Sequence, residues 1–109
     1  MSTYNRVAPR GTVALLRWIG SQPWAGEWRK TLPVGGIDGT LGRRHKDTAL
    51  AGKLFAKTGT LNATNALAGY LTAASGRELT FAIYANDVPE TVKAVPIMDR
   101  ALLAIAASN

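Results

Sequence analysis

The residues of this chain best suited to chemistry are Lys57-Thr58-Gly59-Thr60. A lysine, two hydroxyls and a residue without a side chain, set side by side, make a site for an anion. The ammonium attracts a carboxylate, Thr58 and Thr60 can donate hydrogen bonds to it, and Gly59 lets a ligand backbone approach closely. The same ammonium can shift the protonation of a neighbouring hydroxyl network. On average residue usage a Lys-Thr-Gly tripeptide arises by chance in roughly one chain in forty of this length. Alone, therefore, it does not separate a ligand site from a solvated strand lysine followed by a turn.

Other candidates carry less. Serines occur at Ser2, Ser21, Ser75 and Ser108, and the residues three positions later, where they exist, are Asn5, Trp24 and Glu78. No serine therefore has a lysine base at S-x-x-K spacing, and none has Asn two positions on. Gly35, Gly36, Gly39 and Gly42 fit neither the dinucleotide nor the P-loop spacing and read as turns. His45 is the single histidine, so it has no partner for a metal pair and reads as a surface residue; Asp38 and Asp47 are isolated carboxylates. No metal or cofactor is expected. Arg43, Arg44, His45 and Lys46 form the densest basic cluster and read as solvated surface. Trp18, Trp24 and Trp28 could stack on bases or sugars, but large aromatics near an amphipathic helix are expected to anchor a core.

The elements that must hold these residues follow from periodicity. Ala8, Leu15, Leu16 and Ile19 lie on one face of a helix over 8–19, with Pro9 in its first turn and Gly20 ending it. A long Gly- and Pro-rich stretch follows, read as loop or short helix and anchored by Trp24, Trp28 and Leu32. Lys53 to Thr60, Asn65 to Ala73 and Leu79 to Ala85 read as three strands of an antiparallel meander, with Ser75-Gly76-Arg77 as the second turn. Met98, Ala101, Leu102 and Ile105 predict a C-terminal helix starting at Pro96, and Thr91 to Val95 a separate helical turn. The expected class is α+β, a three-stranded antiparallel sheet with N-terminal and C-terminal helices available to cover one face.

Composition narrows the function classes. With 109 residues the chain is one small domain at most, and 47% hydrophobic against 18% charged residues is globular usage. No apolar run is long enough to cross a bilayer, and the first ten residues contain no secretory h-region. The absence of cysteine excludes a disulfide framework and a cysteine nucleophile. The net charge of +6 favours an anionic partner, but the basic residues form no continuous stripe and no nucleic-acid motif, so nucleic acid is not expected.

Three stretches, LPVGGIDGTLGRR, GKLFAKTGTL and NALAGYLTAASGRELTFAIYAND, resemble the C-terminal part of class C low-molecular-mass penicillin-binding proteins. These are the serine D-alanyl-D-alanine carboxypeptidases and endopeptidases of peptidoglycan. The opening TYNRVAPRGTVALLRWI is similar to the segment after that family's SGLS turn, so the resemblance covers nearly the whole chain in order. It implies a piece of the penicillin-binding and β-lactamase-like transpeptidase fold, with residues 1–109 as one C-terminal fragment. It also implies that Lys57, Thr58, Gly59 and Thr60 form one wall of an acyl-transfer site, the Thr60 N–H supplying half of an oxyanion hole. The S-x-x-K nucleophile and the S-x-N motif would lie upstream of Met1, so the chain alone is expected to be inactive. In the complete enzyme the ligands would be a stem peptide or a β-lactam, in the periplasm or outside the cell. An alternative is a non-catalytic module that uses the same strand edge to hold a peptide, the upstream polypeptide or a second copy.

Overall fold

A computed structural model describes residues 9–61, 64–85 and 93–109. Helix α1 spans Pro9–Gly20 and buries Leu16 and Ile19; Pro9 opens it, where a missing N–H costs no helical bond. The expected first residue, Ala8, lies outside the described residues. Helix α2, Ala25–Lys30, has Glu27 in its first turn and Arg29 and Lys30 in its last, which suits the helix dipole at both ends. The next stretch contains one 3-10 turn, Gly39–Leu41. It is pinned to the molecule by Leu32, Leu41 and Leu50, of which the last two are fully buried.

Strands β1 (Leu54–Leu61), β2 (Thr64–Thr72) and β3 (Glu78–Ala85) form an antiparallel sheet in the order β1-β2-β3. The register pairs Lys57 with Ala68 and Gly59 with Ala66. β2 and β3 are joined by a tight turn in which Gly76 adopts φ +89 and donates to Ala73 O at 2.9 Å. That is a conformation glycine reaches without a Cβ clash.

The helices cover both faces of the sheet, not one. Because side chains alternate along a strand, Leu54, Ala56, Leu67 and Leu71 point to one face, where they pack with Met98 and Leu102 of α3 (Ala94–Ala107). Phe55, Ala68 and Tyr70 point to the other and pack with Leu16, Trp28 and Leu32. The Tyr70 hydroxyl donates to Leu16 O at 2.6 Å, tying α1 to the central strand.

Two expectations are corrected at the helices. α3 begins at Ala94, so Pro96 is its third residue, still in the turn whose N–H groups lack helical partners, and Ala94 and Val95 are helix, not a separate turn. Thr91 and Val92 lie outside the described residues. Its buried row is Ala94, Met98, Leu102 and Ala106, while Ala101 is exposed and Ile105 is 41% exposed. The i, i+4 row carries alanine at both ends and lets the helix approach the sheet closely. The tryptophans also differ: Trp18 and Trp24 stand exposed, touching each other edge to face at 6.1 Å between centroids, and only Trp28 packs against the core. Among the described residues no helix is long and apolar enough to cross a membrane.

Candidate active site

Lys57 to Thr60 occupy the outer half of β1, the edge strand. The beginning of that edge is closed: Gly35 N donates to Leu54 O at 2.8 Å and Ala56 N to Pro33 O at 3.1 Å. Beyond Ala56 no described segment pairs with it. In an antiparallel ladder alternate residues direct both backbone groups to the same side. Leu54 and Ala56 face outward, and the ladder to β2 continues without a break, so the backbone N–H and C=O of Thr58 and Thr60 also face outward, onto the open edge.

The side chains complete that edge. Lys57 lies on the α1 face, exposed, and its Nζ curls back to donate to the outward Thr58 carbonyl at 2.6 Å, which brings the ammonium round to the edge itself. Thr58 lies on the opposite face and donates from Oγ1 to Thr40 Oγ1 at 3.0 Å. The Thr60 side chain lies outside the described part of the structure. Among the described residues a Cβ at Gly59 would meet only Ala66 Cβ, at an ordinary 3.7 Å, and Gly59 is not among the residues with positive φ. The described residues therefore give no steric or conformational reason for glycine here.

Sequence reasoning misplaced the basic cluster. His45 is buried and Arg44 turns inward, while Arg43 and Lys46 remain exposed. Arg44 Nε donates to Asp99 Oδ2 at 3.0 Å and Nη2 to Oδ1 at 2.5 Å, clamping this loop to α3. His45 Nε2 lies 3.1 Å from Asp99 Oδ1, outside hydrogen-bonding alignment. His45 and Asp47 both adopt φ near +60 without being glycine. The partner that draws Arg44 inward is more than fifty residues away, and no local pattern announces it. Asp38 caps its own turn by accepting from Val34 N at 2.7 Å. Among the described residues no group of three or more potential metal-ligating side chains forms.

A separate cleft of about 320 Å³ lies between the end of α1, α2 and the start of β3, lined among others by Trp28, Arg29, Tyr70 and Glu78. Lys57 is not part of it. Arg29 forks Glu78 and sits over the Tyr70 ring at 4.7 Å and the Phe55 ring at 5.5 Å. The hydrogen bonds within this pair raise the Arg29 pKa and lower that of Glu78, against a smaller opposing effect of burial. This reads as a clamp between α2 and the sheet. The concavity is not where the sequence placed the chemistry, and the open strand edge is the better candidate because it gathers a cation, a hydroxyl and free backbone donors.

Known proteins resemble this chain in sequence and in fold. The model of the D-Ala-D-Ala carboxypeptidase 3 (S13) family matches residues 1–106. The chain is 42% identical over 91 residues to a D-alanyl-D-alanine carboxypeptidase of Actinomadura sp. (strain R39), covering 79% of this chain and 17% of that protein. It is 53% identical over 64 residues to carboxypeptidase DacB of Mycolicibacterium smegmatis, covering 55% of this chain and 14% of the relative. With the D-alanyl-D-alanine carboxypeptidase DacB of Haemophilus influenzae it shares 30% identity over 105 residues, covering 90% and 22%. The crystal structure of penicillin binding protein 4 (dacB) from H. influenzae superposes with a TM-score of 0.83 at 28% identity, over 95% of this chain and 25% of that one. The chain thus spans between 14% and 22% of the length of these three relatives.

Proposed function

The chain belongs to the D-Ala-D-Ala carboxypeptidase 3 (S13) family, and on that premise we propose that Lys57–Thr60 form one wall of a serine-type acyl-transfer site for D-Ala-D-Ala stem peptides. The observation that carries this reading is the open edge of β1, which begins where the cover from Pro33–Gly35 ends and presents Lys57 Nζ beside outward backbone donors. An extended peptide can lie along such an edge as an added strand, its terminal carboxylate drawn to the ammonium. The Thr60 N–H would then meet the oxygen that becomes negative when the peptide carbonyl is attacked.

The remaining parts of the reaction need residues that these 109 do not contain. A serine Oγ would attack the D-Ala-D-Ala carbonyl, the S-x-x-K lysine would take its proton, and that proton would pass to the departing D-Ala amine. Water would then release the shortened peptide. A β-lactam would stop the sequence at the acyl step. In this reading residues 1–109 are a C-terminal fragment of a penicillin-binding domain, inactive alone, whose ligands are stem peptides and β-lactams and whose polypeptide partner is the upstream part of the same fold. The place of action is the periplasm or the cell exterior.

The test is a titration of the isotopically labelled chain with N-acetyl-D-Ala-D-Ala, followed by backbone amide NMR. The expected shifts cluster at Lys57–Thr60 and largely disappear with the C-terminal methyl ester. Shifts centred on the Trp28–Glu78 cleft, or equal responses to acid and ester, would contradict the assignment.

A further inference from the structure

Resting on the reading of β1 as a carboxylate-binding edge, we propose that Thr40, in the 3-10 turn outside the motif, is a positioning residue that turns the Thr58 hydroxyl toward the ligand carboxylate. Thr58 Oγ1 donates to Thr40 Oγ1 at 3.0 Å. A hydroxyl has one proton, and a carboxylate only accepts. With its proton directed at Thr40, Thr58 has none to offer an incoming anion. If both hydroxyls rotate, Thr40 donates to Thr58 Oγ1 and Thr58 donates outward, with no heavy atom moved. Two hydroxyls aligned in this way polarise each other, so the second bond is stronger than Thr58 would make alone. The anion would lie beside Lys57 Nζ, which its bond to the Thr58 carbonyl already holds at that edge.

Thr40 is well held for this task by bonds that do not involve its hydroxyl. Gly36 N donates to Leu41 O at 2.9 Å, Gly42 N to Gly39 O at 3.1 Å, and Val34 N to Asp38 Oδ1 at 2.7 Å. Leu41, next to it, is fully buried, and Gly39 adopts φ +59 with Pro33 Cβ packed 3.1 Å from where a Cβ of its own would lie. Together with the two bonds that join Pro33 and Gly35 to β1, these fix the turn against the strand. The hydroxyl of Thr40 is exposed and adds little to holding the loop in place. Its one described hydrogen bond is with the Thr58 hydroxyl.

The experiment compares the wild-type chain with Thr40→Val, Thr40→Ala and Thr40→Ser, titrating each with N-acetyl-D-Ala-D-Ala and with its methyl ester. Amide spectra confirm the fold of each variant. Thr40→Val and Thr40→Ala are expected to weaken binding of the acid by about twofold to fourfold, because Thr58 keeps its own proton and loses only the strengthening that the Thr40 hydroxyl gives its bond to the carboxylate. Thr40→Ser is expected to restore it, and ester binding should not change in any variant. An acid affinity that is indifferent to Thr40, or a serine variant as weak as valine, overturns the positioning role. If the wild-type chain itself does not prefer acid over ester, the carboxylate edge is wrong and Thr40 falls with it.

Discussion

Gly69 and Phe55, on neighbouring strands, are so close that a Cβ added to Gly69 would lie 2.1 Å from the Phe55 carbonyl oxygen and 2.6 Å from Ala56 Cα. Both obstacles are backbone of the edge strand, and neither can give way without breaking the ladder that carries Lys57. Gly69 is therefore a steric requirement of the sheet.

Gly69→Ala is expected to destabilise the chain by about 3 kcal/mol or more, at the upper end of overpacking costs. Gly11, in the first turn of α1, is the opposite case, since a Cβ there meets no described residue within 4 Å. Gly11→Ala should stabilise by about 0.5–1 kcal/mol through helix propensity. Urea denaturation of the two variants checks both signs, and a Gly69→Ala chain as stable as wild type would refute the close approach.

Asp99 joins α3 to the loop through Arg44, with both side chains less than a fifth exposed. Removing one partner leaves the other partly buried and unpaired, so Asp99→Ala is expected to cost about 2 kcal/mol. Adding Arg44→Ala to that variant should cost much less than Arg44→Ala in the wild type. A double-mutant cycle measures the difference, and a coupling near zero would mean that the pair does not hold the helix.

The Arg29–Glu78 pair gives stability a dependence on acid. The hydrogen bonds from Arg29 hold the Glu78 carboxyl below its ordinary value. Its contribution is therefore fully present above the unfolded-state value of about 4.3 and is lost as pH falls through the lower folded-state value. The pair is substantially exposed, so the contribution should stay under about 1 kcal/mol. Stability curves of wild type and Glu78→Gln should differ at neutral pH and converge in strong acid; a gap that widens on acidification would reverse the sign.

The sheet was legible because its signals are local. Strand alternation placed all three strands within one residue of the observed bounds, and the Lys-Thr-Gly-Thr sequence stood out at the end of the first. The rest depends on distant partners. His45 looks like a surface residue in a basic loop, yet it is buried with Nε2 3.1 Å from Asp99 on α3, a neighbour far away in the sequence. Trp18 and Trp24 have the size of core anchors, but α1 turns Leu16 and Ile19 to the sheet and leaves Trp18 outside. Thr40 is 18 residues from Thr58, and its hydroxyl gains a role only when the turn is folded against β1.

The proposed division of labour, in which this chain supplies the Lys57 wall of an acyl-transfer site and not its nucleophile, can be read from intact-mass detection of a penicilloyl adduct. Two samples are compared: the chain alone, and a chimera in which it replaces the matching segment of the Actinomadura carboxypeptidase. No adduct is expected on the chain alone and one equivalent on the chimera. Lys57→Ala in that chimera should slow acylation by about 100-fold or more, as loss of a key electrostatic group does. An adduct on the isolated chain, or a folded chimera that acylates equally well without Lys57, would contradict it.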